Sequence, residues 1–272
     1  MKTHKNREHL PSGSILVSTY NRPAALSLCL QSIAKQTVLP DEVVIADDGS
    51  GEETVRLIEQ MKLHFPVPLV HVWQEDKGFR LAKCRNKAVA RSGGEYIIQI
   101  DGDLVLHRRF VEDHLSFARP GCFLKGGRVN LTGKLTDTLC RSCALPHIHF
   151  LTPGLIRRTN AIHCAPLSRY LAPRYQKNRI ALGCNMSFWK KDYIAVNGYD
   201  EVFEGWGGED SDFAGRMINR GLEKRHLKFA GIAYHLWHDD LYMQNREKNY
   251  NYLHQNLQEK RIWCDPGVNQ YL

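Results

Sequence analysis

No apolar run in this 272-residue chain exceeds a few residues, far short of the roughly 20 needed to cross a bilayer as a helix. The first nine residues, Met1 to His9, are polar and basic with no apolar core, so a secretory signal is not expected. No GxGxxG follows the first apolar stretch and no GxxxxGK[ST] occurs. These absences argue against a dinucleotide dehydrogenase and a P-loop NTPase. Helix-turn-helix, zinc-finger and RNA-binding signatures are missing too, so nucleic acid is not an expected partner despite a net charge of +8. No internal repeat or low-complexity tract is visible. The eight cysteines stand singly, apart from Cys140-Arg141-Ser142-Cys143. They read as reduced thiols of a cytosolic protein, not as a disulfide framework. The Cys140/Cys143 pair lies near His147, His149, His163 and Cys164. Those are zinc donors, but no second pair at finger-like spacing completes a site.

A hydrophobic fraction of 43% suits a globular chain with a real core. One α/β core is the simplest arrangement at this length. The basic excess gathers at the N-terminus and in Arg157-Arg158, Arg169, Arg174, Lys177 and Arg179. It suits phosphorylated substrates or an anionic membrane surface.

β-Favouring runs at Ser14–Tyr20, Val43–Ala46, Leu69–Trp73 and Tyr96–Ile100 alternate with helical spacing over 24–36, 52–63 and 81–91. Gly93-Gly94 reads as the C-cap of the third helix. Such alternation predicts a mostly parallel sheet with crossover helices. Helices are also predicted over 108–117, after Asp212 to about Asn219, and over 243–258. Residues 122–129 read as strand and loop, and 130–180 lack clear periodicity and read as lid or acceptor-side structure.

Two strand ends carry acid pairs, Asp47-Asp48 and Asp101-Gly102-Asp103. Strand ends of a parallel sheet share one edge, where ligands bind. Two close carboxylates repel unless a cation lies beside them. One pair can hold a base or ribose, the other a metal and phosphates. Each is also what a plain turn or helix start would use. Arg80, Lys83 and Arg85 open the third helix and can face a phosphate. Gly205-Trp206-Gly207-Gly208-Glu209-Asp210 precedes another helix. Its glycines admit a close ligand, and Trp206 offers a flat face to a sugar ring. His235 and His238 stand three apart after an apolar patch, and imidazole suits Mn²⁺ alongside a carboxylate.

Taken together, the motifs resemble the family-2 glycosyltransferases with a GT-A fold. The resemblance spans about residues 12 to 240. It rests on Val17-Ser18-Thr19-Tyr20-Asn21-Arg22, Asp47-Asp48-Gly49-Ser50, Arg85-Asn86 and the Asp101-Gly102-Asp103 version of the DXD motif. The Gly205–Asp210 stretch looks like the galactosyltransferase-type region of chondroitin-polymerase-like enzymes and β-1,4-galactosyltransferases.

The resemblance implies a Rossmann-like central sheet flanked by helices, in one compact domain with an acceptor-side C-terminal part. It divides the chain into a flexible basic N-terminus (1–11), a nucleotide-sugar-binding part (12–129), an acceptor-binding part (130–240) and a C-terminal helix and tail (241–272). Asp48 would bind the nucleobase, with Thr19 and Arg22 near it and Arg80 by the nucleotide. Asp101 would lie near ribose or sugar, and Asp103 would ligate Mn²⁺ (or Mg²⁺) with His235 or His238. Asp210 would be the catalytic base, with Glu209 beside it on donor or acceptor sugar. A helix start should depress the pKa of a carboxylate there.

The implied donor is a UDP-sugar, and the implied acceptor is a glycan or glycolipid of a surface polysaccharide or lipopolysaccharide. The implied place is cytoplasmic, peripheral on the inner membrane face against anionic lipid. The segment Lys134 to Arg179 has no counterpart in the resemblance, and no methionine stands before His235 at the spacing that matches the β-1,4-galactosyltransferases. A metal-dependent nucleotidyltransferase and a catalytically silent carbohydrate-binding scaffold are the rival readings.

Overall fold

The computed structural model describes residues 9–142, 144–145, 147–171, 183–239 and 244–272. Cys143, Arg174, Lys177, Arg179 and most of the N-terminal segment lie outside these residues.

The first half alternates as its sequence predicts. β1 (Gly13–Thr19), α1 (Pro23–Ala34), β2 (Glu42–Asp47), α2 (Glu52–Lys62), β3 (Leu69–Trp73), α3 (Leu81–Arg91) and β4 (Tyr96–Asp101) follow in order. Then come β5 (Leu104–Leu106), α4 (Phe110–Phe117), β6 (Cys122–Lys125), β7 (Arg128–Leu131), α5 (Gly133–Ser142) and β8 (Leu155–Ile156). The second half adds α6 (Ala165–Leu171), β9 (Asn185–Trp189), α7 (Lys190–Ala195), α8 (Glu209–Asn219), β10 (Glu223–His226), β11 (Ala233–His235) and α9 (Arg246–Gln258).

The main sheet runs β10-β6-β9-β4-β1-β2-β3. β4, β1, β2 and β3 are mutually parallel, and only β9 runs against its neighbours. Side chains alternate between the two faces of such a strand. On β1, Ile15 and Val17 enter the core beneath α1, while Leu16 joins the core on the opposite face with Ala88 and Val89 of α3. β2 divides the same way, Val43 and Ile45 against Val44 and Ala46. Both faces are covered, which is why these strands read as continuous apolar runs. Burying each such Val, Leu or Ile contributes about 1.5–3 kcal/mol.

A second sheet, β5-β11-β7-β8, packs with Ala25 and Leu28 of α1 around a third core. No long apolar run announces it, because its strands have two to four residues each.

The Gly93-Gly94 C-cap is not formed. The helix instead closes at Ser92 in an extended conformation, with its hydroxyl on the Val89 carbonyl. Gly94 is small for a different reason: a Cβ there would stand 2.5 Å from the Ser14 hydroxyl. The region read as lid holds α5, β8 and α6, with Leu139, Ile148 and Leu155 in the third core. Among the described residues, no helix is long and apolar enough to cross a membrane.

Candidate active site

The sheet changes direction at β1. β2 lies on one side of it and β4 on the other, with Thr19 in register with Asp47 and Ser18 with Asp101. Carboxyl ends at such a switch point form the ligand crevice of open α/β sheets. Thr19, Asp48, Asp101 and Asp103 all stand there.

At the β2 end the two aspartates divide their work. Asp47 accepts the Ser50 amide at 2.8 Å and faces His71 Nε2 at 2.9 Å, so it builds the turn. Asp48 accepts Gln74 Nε2 at 2.6 Å and the Arg80 amide at 2.8 Å, while its own amide donates to the Thr19 carbonyl. Burial pushes the Asp48 carboxyl up, against the pull of Gln74 and Arg80. The Arg80 guanidinium turns to the Glu75 carbonyl. Arg22, expected beside Asp48, reaches Asp103 instead, with Nη1 at 2.9 Å from Oδ2.

Asp103 sits where the two sheets meet. β11 runs antiparallel to β5, with His235 opposite Leu104, and the Leu236 amide donates to the Asp103 carbonyl at 3.0 Å. That pairing brings both histidines to one carboxylate. Asp103 Oδ2 lies 3.3 Å from His238 Nε2 and 3.6 Å from His235 Nε2, and the three side chains form a group able to hold a metal ion.

Burial works to raise the Asp103 pKa, but the His238 hydrogen bond, His235 and Arg22 outweigh it and hold it below the ordinary value. His235 is lowered, mainly by burial, and His238 is raised, mainly by its hydrogen bond to Asp103. Asp103 Oδ1 is buried with no hydrogen-bond partner. A lone carboxylate oxygen beside two imidazoles is a donor set that fits Mn²⁺. The sequence left His235 and His238 as competitors; the structure brings both to Asp103.

Asp101 points toward a different partner. Arg85, on α3 and only 1% exposed along its side chain, donates to Asp210 Oδ1 at 2.9 Å and Asp101 Oδ1 at 3.2 Å, and lies 3.8 Å from Glu209. Sequence reading aimed this arginine at a phosphate; it is instead the counter-ion of Asp210 and Asp101, with Glu209 beside them. Burial opposes its charge, yet Tyr199, Asp210, Asp101 and Glu209 keep it protonated. Asp101 is pushed up to about 6 by burial, with Arg85 pulling the other way.

Asp210 and Glu209 open α8. Asp210 also accepts the Tyr199 hydroxyl at 3.1 Å and the Gly183 amide at 2.7 Å. A Cβ on Gly183 would lie 2.0 Å from Asp210 Oδ1, so only glycine permits that contact. Burial and the neighbouring Asp210 push Glu209 up to about 8.

Tyr199 and Gly183 carry no motif and were missed; their signal lies in three dimensions. Asn86 was part of a motif, and here it ties the halves together, donating to the Tyr199 carbonyl and to Glu201.

Gly207 and Gly208 take φ of +93° and +98°, a backbone that favours glycine, just before α8. Trp206 stands beside them, its ring 6.4 Å from Tyr250 and 5.4 Å from the Arg246 guanidinium. Both partners come from α9 and line an open cleft with Asn245, Glu247 and Lys248.

Known protein families match the chain in two pieces. Residues 14–130 match the family model for Glycosyl transferase family 2, and residues 163–239 match that for the N-terminal domain of galactosyltransferase. Chondroitin synthase of Escherichia coli is 27% identical over 241 residues, covering 82% of this chain and 34% of that enzyme. The chain spans about half or less of the length of the curated relatives it matches.

Among solved structures, a mannosyltransferase of Pyrobaculum calidifontis in complex with GDP-Man and Mn²⁺ superposes with a TM-score of 0.61 at 17% identity, covering 93% of this chain and 64% of that one. GalNAc-T7 with UDP, GalNAc and Mn²⁺ gives 0.62 at 15% identity, covering 86% and 45%. These two likenesses establish the fold. With both sequence matches, they support a glycosyltransferase with a GT-A fold, similar to family 2 over residues 14–130 and to the N-terminal domain of galactosyltransferase over residues 163–239.

Proposed function

We propose that the protein is a metal-dependent, inverting glycosyltransferase that moves a sugar from a UDP-sugar to a hydroxyl of a glycan or glycolipid acceptor. One observation carries this reading. A metal-donor set, Asp103 with His235 and His238, and a candidate base, Asp210, stand at one sheet edge, linked through Asp101 and Arg85.

In this reading Asp48, Thr19 and Arg80 form the nucleoside end. Asp103, His235 and His238 would hold Mn²⁺, which when bound supplies Lewis-acid stabilisation of the diphosphate leaving group. Arg22 adds a cation beside Asp103. Trp206 offers its ring to the acceptor sugar. Asp210 Oδ accepts the proton of the acceptor hydroxyl as that oxygen attacks the anomeric carbon on the face opposite the nucleotide. A single such displacement inverts the anomeric centre. The transition state has oxocarbenium character, as in glycoside hydrolysis.

Arg85 holds the Asp210 carboxylate in place, and Tyr199 and Gly183 fix its orientation. Glu209 keeps a proton near neutral pH and is then a donor to a sugar hydroxyl or ring oxygen. Residues 12–129 are the donor half and 130–240 the acceptor half. Surface polysaccharide or lipopolysaccharide is the acceptor class. The net charge of +8 suits work at the cytoplasmic face of an anionic membrane.

The test is nucleoside diphosphate release from a panel of UDP-sugars and GDP-mannose, with Mn²⁺ and with chelator. Metal-dependent UDP release is expected. Pyrophosphate release would mark nucleotidyl transfer instead, and silence with every donor would return the chain to a carbohydrate-binding role.

A further inference from the structure

A second cluster of metal-binding side chains lies apart from Asp103. His107, Asp113 and His163 come from three segments distant in sequence: the turn after β5, the first turn of α4, and the chain before α6. Their donor atoms all lie within 4.8 Å of one another. His163 Nε2 faces both Asp113 oxygens at 3.0 and 3.1 Å. The His107 and His163 rings stack with centroids 4.7 Å apart and planes 17° from parallel. Asp113 is only 4% exposed.

An Asp113–His163 pair alone would satisfy one imidazole. The His107 donor atom lies in the same small volume, and it supplies the third ligand of a shared cation once its ring turns out of the stack. We propose that His107, Asp113 and His163 form a second divalent-cation site, structural in role and suited to Zn²⁺.

Two imidazoles and a carboxylate are a common zinc donor set, with a water completing the tetrahedron. Zinc bonds of about 2.0–2.1 Å put tetrahedral ligand atoms roughly 3.3 Å apart. The His163–Asp113 separations already approach that spacing, and His107, whose donor atom lies within 4.8 Å of theirs, must rotate out of the stack to join them.

The site is placed to brace the active site. Asp113 Oδ2 accepts the Gly231 amide at 2.9 Å, and the His107 amide donates to the Ile232 carbonyl at 3.0 Å. The Cys164 amide donates to the Phe229 carbonyl at 3.0 Å. All three contacts anchor the segment that runs into β11, the strand carrying His235. From Thr138 to Lys191 the chain contains no Asp or Glu. This long acid-free excursion is pinned to α4 at His163, through an aspartate the excursion itself lacks. Of the zinc donors near Cys140 in the sequence, His163 is the one that meets His107 and Asp113.

Protein stripped with chelator and titrated with Co²⁺, read by visible absorption and calorimetry, counts the sites without any activity assay. Wild type should bind two equivalents, Asp103→Ala one, His163→Ala one, and the double variant none. His107→Gln supplies a second disruption if His163→Ala fails to fold, with circular dichroism as the check. The count in His107→Gln should also be one, and Zn²⁺ should raise the melting temperature of Asp103→Ala but not of Asp103→Ala/His163→Ala. Equal Co²⁺ counts in wild type and in a folded His163→Ala or His107→Gln would overturn the proposal. A wild type that binds one equivalent, retained in Asp103→Ala and lost in His163→Ala, would count against the catalytic reading and support this one.

Discussion

Replacing Arg85 by methionine removes one positive charge and leaves the side-chain volume nearly unchanged. The carboxylates of Asp210 and Asp101, 2.9 and 3.2 Å from the lost guanidinium, then lie beside the protonated Glu209 with no counter-ion. A single pair at 4 Å is worth about 4 kcal/mol at an effective dielectric of 20, and stripping one partner from a buried pair costs about 3–5 kcal/mol net. Asp101 and Asp210 keep side-chain exposures of 33% and 21%, so solvent screens part of the loss. The lower end, about 3 kcal/mol, is expected at pH 7.5. At about 2–4 °C per kcal/mol for a chain near this size, the melting temperature should fall by roughly 6–12 °C.

The loss should depend on pH. Without Arg85 the folded-state pKa of Asp101, already raised to about 6, rises further above its unfolded value. A group raised on folding is tolerated when protonated, and stability is lost as pH rises through its folded pKa. The gap between wild type and Arg85→Met should therefore be small near pH 5 and widen toward pH 8. Calorimetric melting at both pH values reads it directly. A gap below about 1 kcal/mol, or one equal at both pH values, would refute the role of Arg85 as shared counter-ion.

The remaining predictions concern the same edge. Asp210→Asn should leave UDP-sugar binding near normal while turnover falls at least ~100-fold, the scale of general-base loss; retained turnover removes Asp210 from that role. Glu209→Gln should flatten the stability profile. In wild type a folded pKa of about 8 means stability contributed by Glu209 is fully present below its unfolded pKa and lost as pH rises toward 8. The variant's advantage in melting temperature should grow from pH 5 to 8 and then level off, and a constant difference across that range would contradict the buried, protonated Glu209.

Much of the first half was legible in the sequence because its physics is local. Ile15 to Val17 and Val43 to Ala46 are buried on both faces, so their apolar runs are continuous, and Pro23 stands at the first residue of α1. The acid pairs at Asp48 and Asp103 could be placed because strand ends of a parallel sheet share an edge. Other features depended on partners far away in the chain. β9 lies between β4 and β6 although it comes from the second half, and residues 122–129 divide between two sheets. Arg85 reads as one cation among several until Asp210, 125 residues on, is folded against it. Arg22 likewise needs the β1–β4 pairing before Asp103, 81 residues away, comes into reach. His107 and His163 share no spacing that marks them as neighbours.

The central claim is a metal-dependent nucleotide site built on Asp103, His235 and His238. Its most direct test is calorimetric titration of UDP into wild type and Asp103→Ala, each with Mn²⁺ and with chelator. Tight binding is expected only for wild type with Mn²⁺. Equal UDP affinity in chelator, or unchanged metal-dependent binding in Asp103→Ala, would contradict the account.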